Sequence, residues 1–342
     1  FADLAAIGTI SDVVNLTGEN RAIVKAGLRS INNRSRAGIN ELLDVAGAGN
    51  KYVNATSVAF TISPRINAAG RLGNANSALD LLNASNIVDA YHYADMLESF
   101  NQRRQAKEQE IFTEAKRQVE SQPTFSTSMT ITAAGEGWHQ GVIGIVASRF
   151  ARDYNRPAIV LTIQGEEAHG SGRSIPGLNL IKILSKSSHL LTRYGGHPMA
   201  VGLGLPKDKI AEFQKEFEEH VREEISPCDI NDSVSYDGTV ELSELGRGFF
   251  ELYPQLGPFG HGNPQPAYRL NRMEVVRTFP IKPGHTKGIM RDQNGETTDF
   301  IAFNMIIDPK IVWDVIALPH INEYYGEKRR QLQILDARPS LS

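Results

Sequence analysis

The densest group of chemically useful residues is the segment Gly170-Ser171-Gly172-Arg173-Ser174, which directly follows a strand pattern. Two glycines allow a backbone to approach a ligand closely, hydroxyl groups can hydrogen-bond to oxygens, and arginine offers a forked donor that stays charged. These properties predict a phosphate-binding segment. A polar hairpin turn with an exposed arginine has the same composition, so the pentapeptide alone leaves both interpretations open.

Two further segments place a histidine beside glycine. In Trp138-His139-Gln140-Gly141 the histidine lies between a strand pattern and a helix pattern, where free amides and the helix macrodipole favour an anion. In Tyr194-Gly195-Gly196-His197 the glycines predict a tight loop that exposes the imidazole. An ordinary strand-to-helix turn with Trp138 as a packing residue, and a structural role for His197, are the alternatives.

The composition sets outer limits on what the chain can be. With 342 residues it is long enough for two or three domains, and its 41% hydrophobic and 22% charged residues are typical of a folded globular protein. No tract approaches the roughly 18 apolar residues of a membrane span, so no membrane role is expected. The single cysteine, Cys228, indicates a reducing cytoplasm. A net charge of −3 neither indicates nor excludes nucleic-acid binding, because a protein with this overall charge can still have a local basic groove.

The first half of the chain must position these segments. Leu4 to Val14 has the texture of folded core although the first residue is Phe, so we expect the chain to begin within a domain. Ser63 to Asn76 is rich in Gly and Asn and predicts a functional loop rather than a regular helix. From Ser85 to about Ser121 the apolar residues follow the helical period. Its middle, Asn101 to Gln109, is almost wholly polar, which favours a helix that crosses solvent between two domains.

The second half predicts an α/β domain followed by a β-rich one. Met129–Ala133, Val142–Ala151 and Ala158–Thr162 form a strand, helix and strand pattern typical of a βαβ unit. A helix near Leu178–Leu190, a strand at Ala200–Leu205 and an amphipathic helix through Val221 complete that domain. After Pro227 come short β-rich runs that predict a small barrel such as an OB-fold, namely Val234–Glu241, Tyr268–Thr278, Thr286–Arg291, Thr297–Asn304, Ile311–Leu318 and Gln331–Leu335.

The β-rich region also has aromatic residues that could stack on bases, although most are expected in its core: Phe249, Phe250, Tyr253, Phe259, Tyr268, Phe300 and Phe303. Its cations could contact phosphates, namely Lys282, Lys287, Arg291, Lys328, Arg329 and Arg330.

Taken in chain order, the three motif segments at 138–141, 170–174 and 194–197 resemble the DHH-associated domain of the DHH phosphoesterase superfamily. The signature of that domain is Gly-Gly-His. Leu4–Val14 looks like the last metal-binding motif of the catalytic DHH domain, and Pro64–Leu72 is similar to the following motif of the RecJ branch. The resemblance covers essentially the whole chain. It implies an α/β multidomain protein with a remnant of a DHH α/β domain at 1–85, a connecting helix at 86–122, a DHH-associated α/β domain at 123–226 and an OB-fold-like nucleic-acid-binding domain at 227–342.

The resemblance also implies roles for individual residues. Asp12 would be a ligand of a catalytic Mn²⁺ or Mg²⁺, since carboxylates are the hard oxygen donors that such ions prefer; a turn aspartate is the alternative. Ser171 and Arg173 would bind the 5′-terminal phosphate, and Arg65 or Arg71 would hold the DNA backbone unless they are surface charges. The remaining candidates are Gly172, Asn67, Gly195 and Gly196 for phosphate or backbone binding, and His197 and His139 in the catalytic cleft.

The implied activity is 5′-to-3′ hydrolysis of single-stranded DNA with two Mn²⁺ or Mg²⁺ ions, in DNA repair and recombination. The implied partners are single-stranded DNA with a 5′ end, a single-strand-binding protein and a helicase. The sequence departs from the family pattern because it contains no Asp-His-His triplet and none of the earlier Asp motifs. One carboxylate cannot hold two metals, so we expect the chain to be inactive unless an N-terminal segment completes it, and truncation or proteolysis explains this better than natural loss.

Two other functions stay open. A DHH phosphodiesterase of short oligonucleotides or cyclic dinucleotides would share the Gly-Gly-His domain, but the predicted barrel argues against it. A catalytically silent scaffold of a replication complex is the second, and Asp12 together with Ser171 and Arg173 argues against that one, since a scaffold need not keep metal and phosphate ligands.

Overall fold

The computed structural model describes residues 1–225, 233–324 and 327–341 and divides into two compact units. The first unit combines Phe1–Ser35, Lys51–Phe60 and Ser233–Ser342, and the second combines Arg36–Asn50 and Thr61–Asp232. Cys228 lies outside the described residues, as does the side chain of Lys328. Within the described residues, no helix is both long enough and apolar enough to cross a membrane.

The helices of the described residues are α1 Ala2–Ser11, α2 Gly18–Asn32, α3 Ala37–Val45, α4 Ala55–Ser57, α5 Ser63–Leu72, α6 Asn76–Asn83, α7 Ile87–Glu120, α8 Gln140–Tyr154, α9 Leu180–Lys186, α10 Ile210–Glu224 and α11 Arg247–Leu252, with a π-helical turn at Val58–Ile62. The strands are β1 Ile131–Glu136, β2 Ala158–Gln164, β3 Glu167–Arg173, β4 Arg193–His197, β5 Ala200–Pro206, β6 Gly238–Thr239, β7 Tyr268–Phe279, β8 Thr286–Arg291, β9 Thr297–Ala302, β10 Val312–Tyr324 and β11 Glu327–Pro339.

The second unit contains a five-stranded sheet in the order β1-β2-β3-β5-β4, in which β1 and β2 are parallel and the other pairs antiparallel. Alternation along β2 gives the sheet two buried faces, because successive side chains point to opposite sides. Ala158 and Val160 pack with α7 and α8, whereas Ile159 and Leu161 pack with α9 and α10. The expected α/β domain with its βαβ unit is confirmed.

The long connecting helix is also confirmed, since α7 runs unbroken for 34 residues from its N-cap, Asn86, whose side chain accepts a hydrogen bond from Asp89 N at 2.9 Å. The prediction that its middle crosses solvent is wrong for one face of the helix. Asn101 is only 1% exposed, and Arg104 and Glu108 on the same face are half-buried. The polar side chains tolerate this burial because they hydrogen-bond to one another.

The predicted irregular loop at Ser63–Asn76 is wrong, because most of it is helix α5. Pro64 sits in the first turn, where the missing amide proton breaks no helical hydrogen bond. Ala68 and Ala69 are fully buried, and their small side chains let α5 pack closely on α7. Residues 1–85, all of them described, form helices and no strand, so the α/β character expected for this part is absent there.

The first unit contains the predicted barrel. Strands β7-β8-β9-β11-β10 follow one another, and pairing of β10 with β7 closes the ring, so the OB-like barrel is confirmed. Its core includes the buried side chains of Met273, Met290 and Phe300. Phe250 and Tyr253 are also buried, whereas Phe303 is 52% exposed and is available to a ligand.

The segment that leads into the barrel docks on the N-terminal helices of the same unit. Leu16 N donates to His261 O at 2.7 Å. Arg21 Nη2 donates to the carbonyl oxygens of Leu256 at 2.8 Å and Gly257 at 3.1 Å. One guanidinium on α2 therefore holds the end of the short 3-10 turn before the barrel.

Candidate phosphate-binding site

Ser171 and Arg173 lie in the interior of the sheet rather than in a hairpin turn. They are on the face of β3 that packs against α8, next to Gly144. A Cβ atom at position 144 would lie 2.9 Å from Ser171 Oγ and 3.3 Å from Arg173 Nη2. Arg173 Nη1 donates to Ser171 Oγ at 3.1 Å, so the hydroxyl and the guanidinium form one group.

Gly172 points the other way. A Cβ atom there would lie 2.7 Å from Val201 Cγ2 and 3.1 Å from Leu180 Cδ2, in the core beneath the sheet. Its carbonyl accepts a hydrogen bond from Arg173 Nη1 at 2.8 Å. Gly172 therefore allows close packing below the site and orients Arg173 through its backbone.

The Gly-Gly-His element forms part of edge strand β4, so the expected tight loop is wrong. Its register explains its relation to β3: Arg173 pairs with Ala200 and Ala200 with His197, while Ser171 pairs with Gly202 and Gly202 with Gly195. Directly paired residues point to the same face of a sheet.

Beside Ser171 that face has almost no side chains. Apart from the chain neighbours, no heavy atom of the described residues lies within 4 Å of a Cβ position at Gly195 or Gly202. His197 is exposed at the outer end of the neighbouring row. Gly195 and Gly202 thus form an open surface of the sheet, which we call the glycine floor. Ser171 and Arg173 lie on one side of it and His197 lies on the other.

Arg71 approaches the same site from α5. Its Nη1 donates to Gly141 O at 2.9 Å, in the first turn of α8. Burial and the neighbouring Arg104 lower the pKa of Arg71, and Glu108 partly opposes this. Burial and Arg71 likewise lower the pKa of Arg173, so the two guanidinium groups lie within electrostatic reach of each other.

Among the described residues, no carboxylate lies within 4.0 Å of the guanidinium nitrogens of Arg71 or Arg173. Two cations that repel each other and form no ion pair with a carboxylate favour an anion between them. A phosphate group, with several acceptor oxygens, fits such a site.

His139 is the N-cap of α8, where its Nδ1 accepts a hydrogen bond from Gly141 N at 3.1 Å. This contact assigns the ring proton to Nε2. A Cβ atom at Gly141 would lie 2.6 Å from Arg71 O and 3.2 Å from the His139 ring, so His139 and Arg71 flank the same helix end. The adjacent Trp138 is buried and donates to Glu114 Oε2 at 3.0 Å, which makes it a packing residue.

The other candidates on α5 differ from Arg71. Arg65 forms an ion pair with Glu98 and donates to Thr61 O at 2.7 Å, so its guanidinium is already engaged in joining α5 to α7. Asn67 is exposed. Of the two arginines predicted to hold the DNA backbone, the structure brings Arg71 to Arg173.

Asp12 lies exposed at the C-cap of α1, in the first unit. In the part of the chain that the structure describes, no group of three or more His, Cys, Asp and Glu side chains could hold a metal ion. The described residues therefore do not fit a two-ion centre.

Three residues of this region escaped the sequence analysis: Asn101, Arg104 and Glu108. They recur at i, i+3 and i+7, which places them on one helical face. That spacing was the available signal, but the surrounding polar residues concealed it.

Comparison with known proteins identifies two domains in the chain. Residues 126–223 match the DHHA1 domain and residues 236–336 match the RecJ OB domain. The site thus lies in a protein of the DHHA1 class. The single-stranded-DNA-specific exonuclease RecJ of Bacillus subtilis is 33% identical over 99% of this chain and 44% of its own length.

Two solved structures agree over the full chain. RecJ from Thermus thermophilus in complex with Mn²⁺ matches 100% of this chain and 50% of its own, with a TM-score of 0.85 and 31% identity. The same protein in complex with Mg²⁺ gives a TM-score of 0.84, also with 31% identity, and covers 100% of this chain and 52% of its own. The chain belongs to the RecJ family, and it spans about half the length of these relatives.

Proposed function

We propose that this chain binds the 5′-phosphorylated end of single-stranded DNA as part of a 5′-to-3′ exonuclease that acts in DNA repair and recombination. The observation that carries the proposal is the pair Arg71 and Arg173, which lie within electrostatic reach of each other, with Arg173 hydrogen-bonded to Ser171 and no ion-pairing carboxylate among the described residues. The relatives are named for hydrolysis of single-stranded DNA, and the polarity follows from the resemblance of the motifs.

The arrangement suits a terminal phosphate followed by a nucleotide. Arg173 and Ser171 supply hydrogen-bond donors, and the N-terminus of α8 adds a favourable dipole close to Arg71. The open floor at Gly195 and Gly202 leaves room for a sugar or base. His197, at the far side of that floor, would contact the next part of the DNA strand.

The barrel would provide a second surface that binds the DNA strand. The match to the RecJ OB domain and the exposed Phe303 support a stacking surface for bases. A single-strand-binding protein and a helicase as partners remain predictions from the resemblance. A cytoplasmic location remains a prediction from the single cysteine.

Hydrolysis in the proposed exonuclease would need Mn²⁺ or Mg²⁺, the ions held in the solved T. thermophilus relatives. Asp12 alone does not make such a centre among the described residues. We therefore propose that the chain by itself binds a strand without cutting it.

Fluorescence anisotropy tests the proposal. The full chain is titrated against the same labelled oligonucleotide bearing a 5′-phosphate or a 5′-hydroxyl, and against duplex DNA and a cyclic dinucleotide. We expect the 5′-phosphate to tighten binding by at least about tenfold, since hydrogen bonds to charged groups contribute about 1.5–3 kcal/mol.

Arg173→Gln should remove this advantage, whereas Arg152→Gln, on the exposed side of α8, should keep it. Equal affinity for the 5′-phosphate and 5′-hydroxyl single strands would contradict the proposed phosphate site. Preference for the cyclic dinucleotide would favour the phosphodiesterase alternative instead.

A further inference from the structure

The polar face of α7 lies against the same end of α5 that carries Arg71. A Cβ atom at Gly73, two residues after Arg71, would lie 2.4 Å from the ring of Phe100, the neighbour of Asn101. The middle of α7 therefore stands directly behind the phosphate site, within the same unit.

Arg104 is held rigidly on this face. Its Nη2 donates to Asn101 Oδ1 at 2.7 Å and its Nη1 to Glu108 Oε2 at 2.7 Å. The side chains of Arg104 and Glu108 are only 11% and 18% exposed. A guanidinium fixed in this way cannot swing into solvent to escape another cation, so its charge acts on Arg71.

We propose that Arg104 is a positioning residue of the phosphate site, acting through Arg71, and that Arg104 and Glu108 together set its preference for a dianionic terminal phosphate over a monoanionic phosphodiester. This inference rests on the proposed function. Arg71, Arg104 and Arg173 contribute three positive charges and Glu108 one negative charge, which leaves a net charge of two.

A phosphate monoester carries about 1.5–2 negative charges near neutral pH because its second pKa is about 6, whereas an internal diester carries one. The attraction scales with the product of the charges, so a more positive site discriminates more strongly between the two. The site would recognise a strand end by its charge as well as by its shape.

The charged, titratable or hydroxyl groups that face the site from the surrounding elements are Arg71 of α5, Arg104 and Glu108 of α7, His139 before α8, Ser171 and Arg173 of β3, and His197 across the floor. A ligand whose 5′-phosphate carries a methyl ester isolates the effect of the second phosphate charge, because it stays monoanionic throughout the pH range while it faces the same protein groups.

The test measures anisotropy of the full chain with 5′-phosphate, 5′-methylphosphate and 5′-hydroxyl forms of one oligonucleotide, between about pH 5 and 7.5 to bracket the phosphate pKa. For the unmodified chain, the ratio of 5′-phosphate to 5′-methylphosphate affinity should fall several-fold on acidification. Arg104→Gln should reduce the ratio at the upper pH and flatten its pH dependence, while affinity for the 5′-hydroxyl strand is retained. Arg104→Lys should restore part of the ratio, and Lys107→Gln, an exposed neighbour on α7, should leave it unchanged.

Glu108→Gln gives a prediction of opposite sign, since loss of the negative charge should widen the ratio. Glu108→Gln therefore still tests whether the charges on α7 set the affinity ratio if Arg104→Gln does not fold. An unchanged ratio in Arg104→Gln or Glu108→Gln, alongside loss of the 5′-phosphate advantage in Arg173→Gln, would overturn the role of Arg104 and leave the proposed function standing. Absence of any 5′-phosphate advantage in the unmodified chain would overturn both.

Discussion

Gly144 of α8 lies directly over Ser171 of β3, so close that a Cβ atom at position 144 would be 2.9 Å from the serine hydroxyl oxygen. The helix and the strand can hold Ser171 and Arg173 together only because position 144 lacks a side chain. This contact couples the packing of α8 directly to the phosphate site.

Gly144→Ala should therefore weaken phosphate binding more than it affects folding. The added methyl group would displace Ser171 Oγ, while alanine in a helix contributes about 0.5–1 kcal/mol relative to glycine and offsets part of the strain. Anisotropy should show a several-fold loss of the 5′-phosphate advantage, and urea unfolding a change below about 1.5 kcal/mol. Gly8→Ala in α1, whose Cβ position has no neighbouring atom within 4 Å in the part of the chain that the structure describes, is the control and should stabilise the chain without altering binding.

The neighbouring glycines of β4 should respond differently to alanine. Gly196 has φ of +141°. A Cβ atom there would lie 2.3 Å from Ala200 O, so Gly196→Ala should lower the free energy of unfolding by about 1–3 kcal/mol. The added methyl group of Gly195→Ala contacts none of the described residues, so this variant should fold normally. The methyl group would fill the glycine floor and should weaken DNA binding. Thermal unfolding and anisotropy of both variants check this, and equal destabilisation by the two would contradict the assignment.

Arg21→Ala should loosen the docking of the barrel-leading segment on α2. Its Nη2 is shared among three backbone carbonyls, those of Gln255, Leu256 and Gly257, which would lose a charged donor. We expect the first unit to lose about 1.5–3 kcal/mol of stability, measured by calorimetry. Lys25→Ala, on the exposed side of α2, should have little effect, and a similar loss there would show that the carbonyl contacts of Arg21 contribute nothing specific.

Glu218 should make the stability of the second unit depend on pH. Burial alone would raise the pKa of this carboxyl, but hydrogen bonds from Thr130, Met129 and Ser128 outweigh it and lower the pKa below its usual 4.5. A carboxylate with a lowered pKa stabilises the fold above about pH 4.5, and this contribution is lost as the pH falls through the folded-state pKa.

Glu218→Gln should consequently destabilise the chain by about 1–3 kcal/mol at neutral pH, and the difference should shrink in acid. Urea unfolding across this pH range measures it. Glu219→Gln, at an exposed position paired loosely with Lys215 at 3.8 Å, serves as the control. A difference that stays constant down to low pH would contradict the role of the Glu218 carboxylate.

Local patterns in the sequence were sufficient for most of the elements. Strand β8 occupies the predicted residues Thr286–Arg291, and α7 begins at Ile87, two residues after Ser85, where the helical period was predicted to begin. Hydrophobic periodicity and capping residues act between near neighbours in the chain, so they can be read without the fold. The same reasoning failed at α5, because the burial of Ala68 and Ala69 in a helix that packs on α7 overrides the weak helix propensity of the Asn and Gly residues around them.

The sequence by itself thus determined most of the elements from α7 onward, the residue types that could hold a phosphate and the family resemblance. Only the tertiary structure decided that Arg71 lies within electrostatic reach of Arg173, that Ser171 and Gly172 face opposite sides of the sheet, and that Arg104 lies half-buried behind the site. The physical reason is that contacts between residues far apart in the chain depend on strand register and helix packing. A one-residue shift in the register of β3 would exchange the faces of Ser171 and Gly172 and abolish the site.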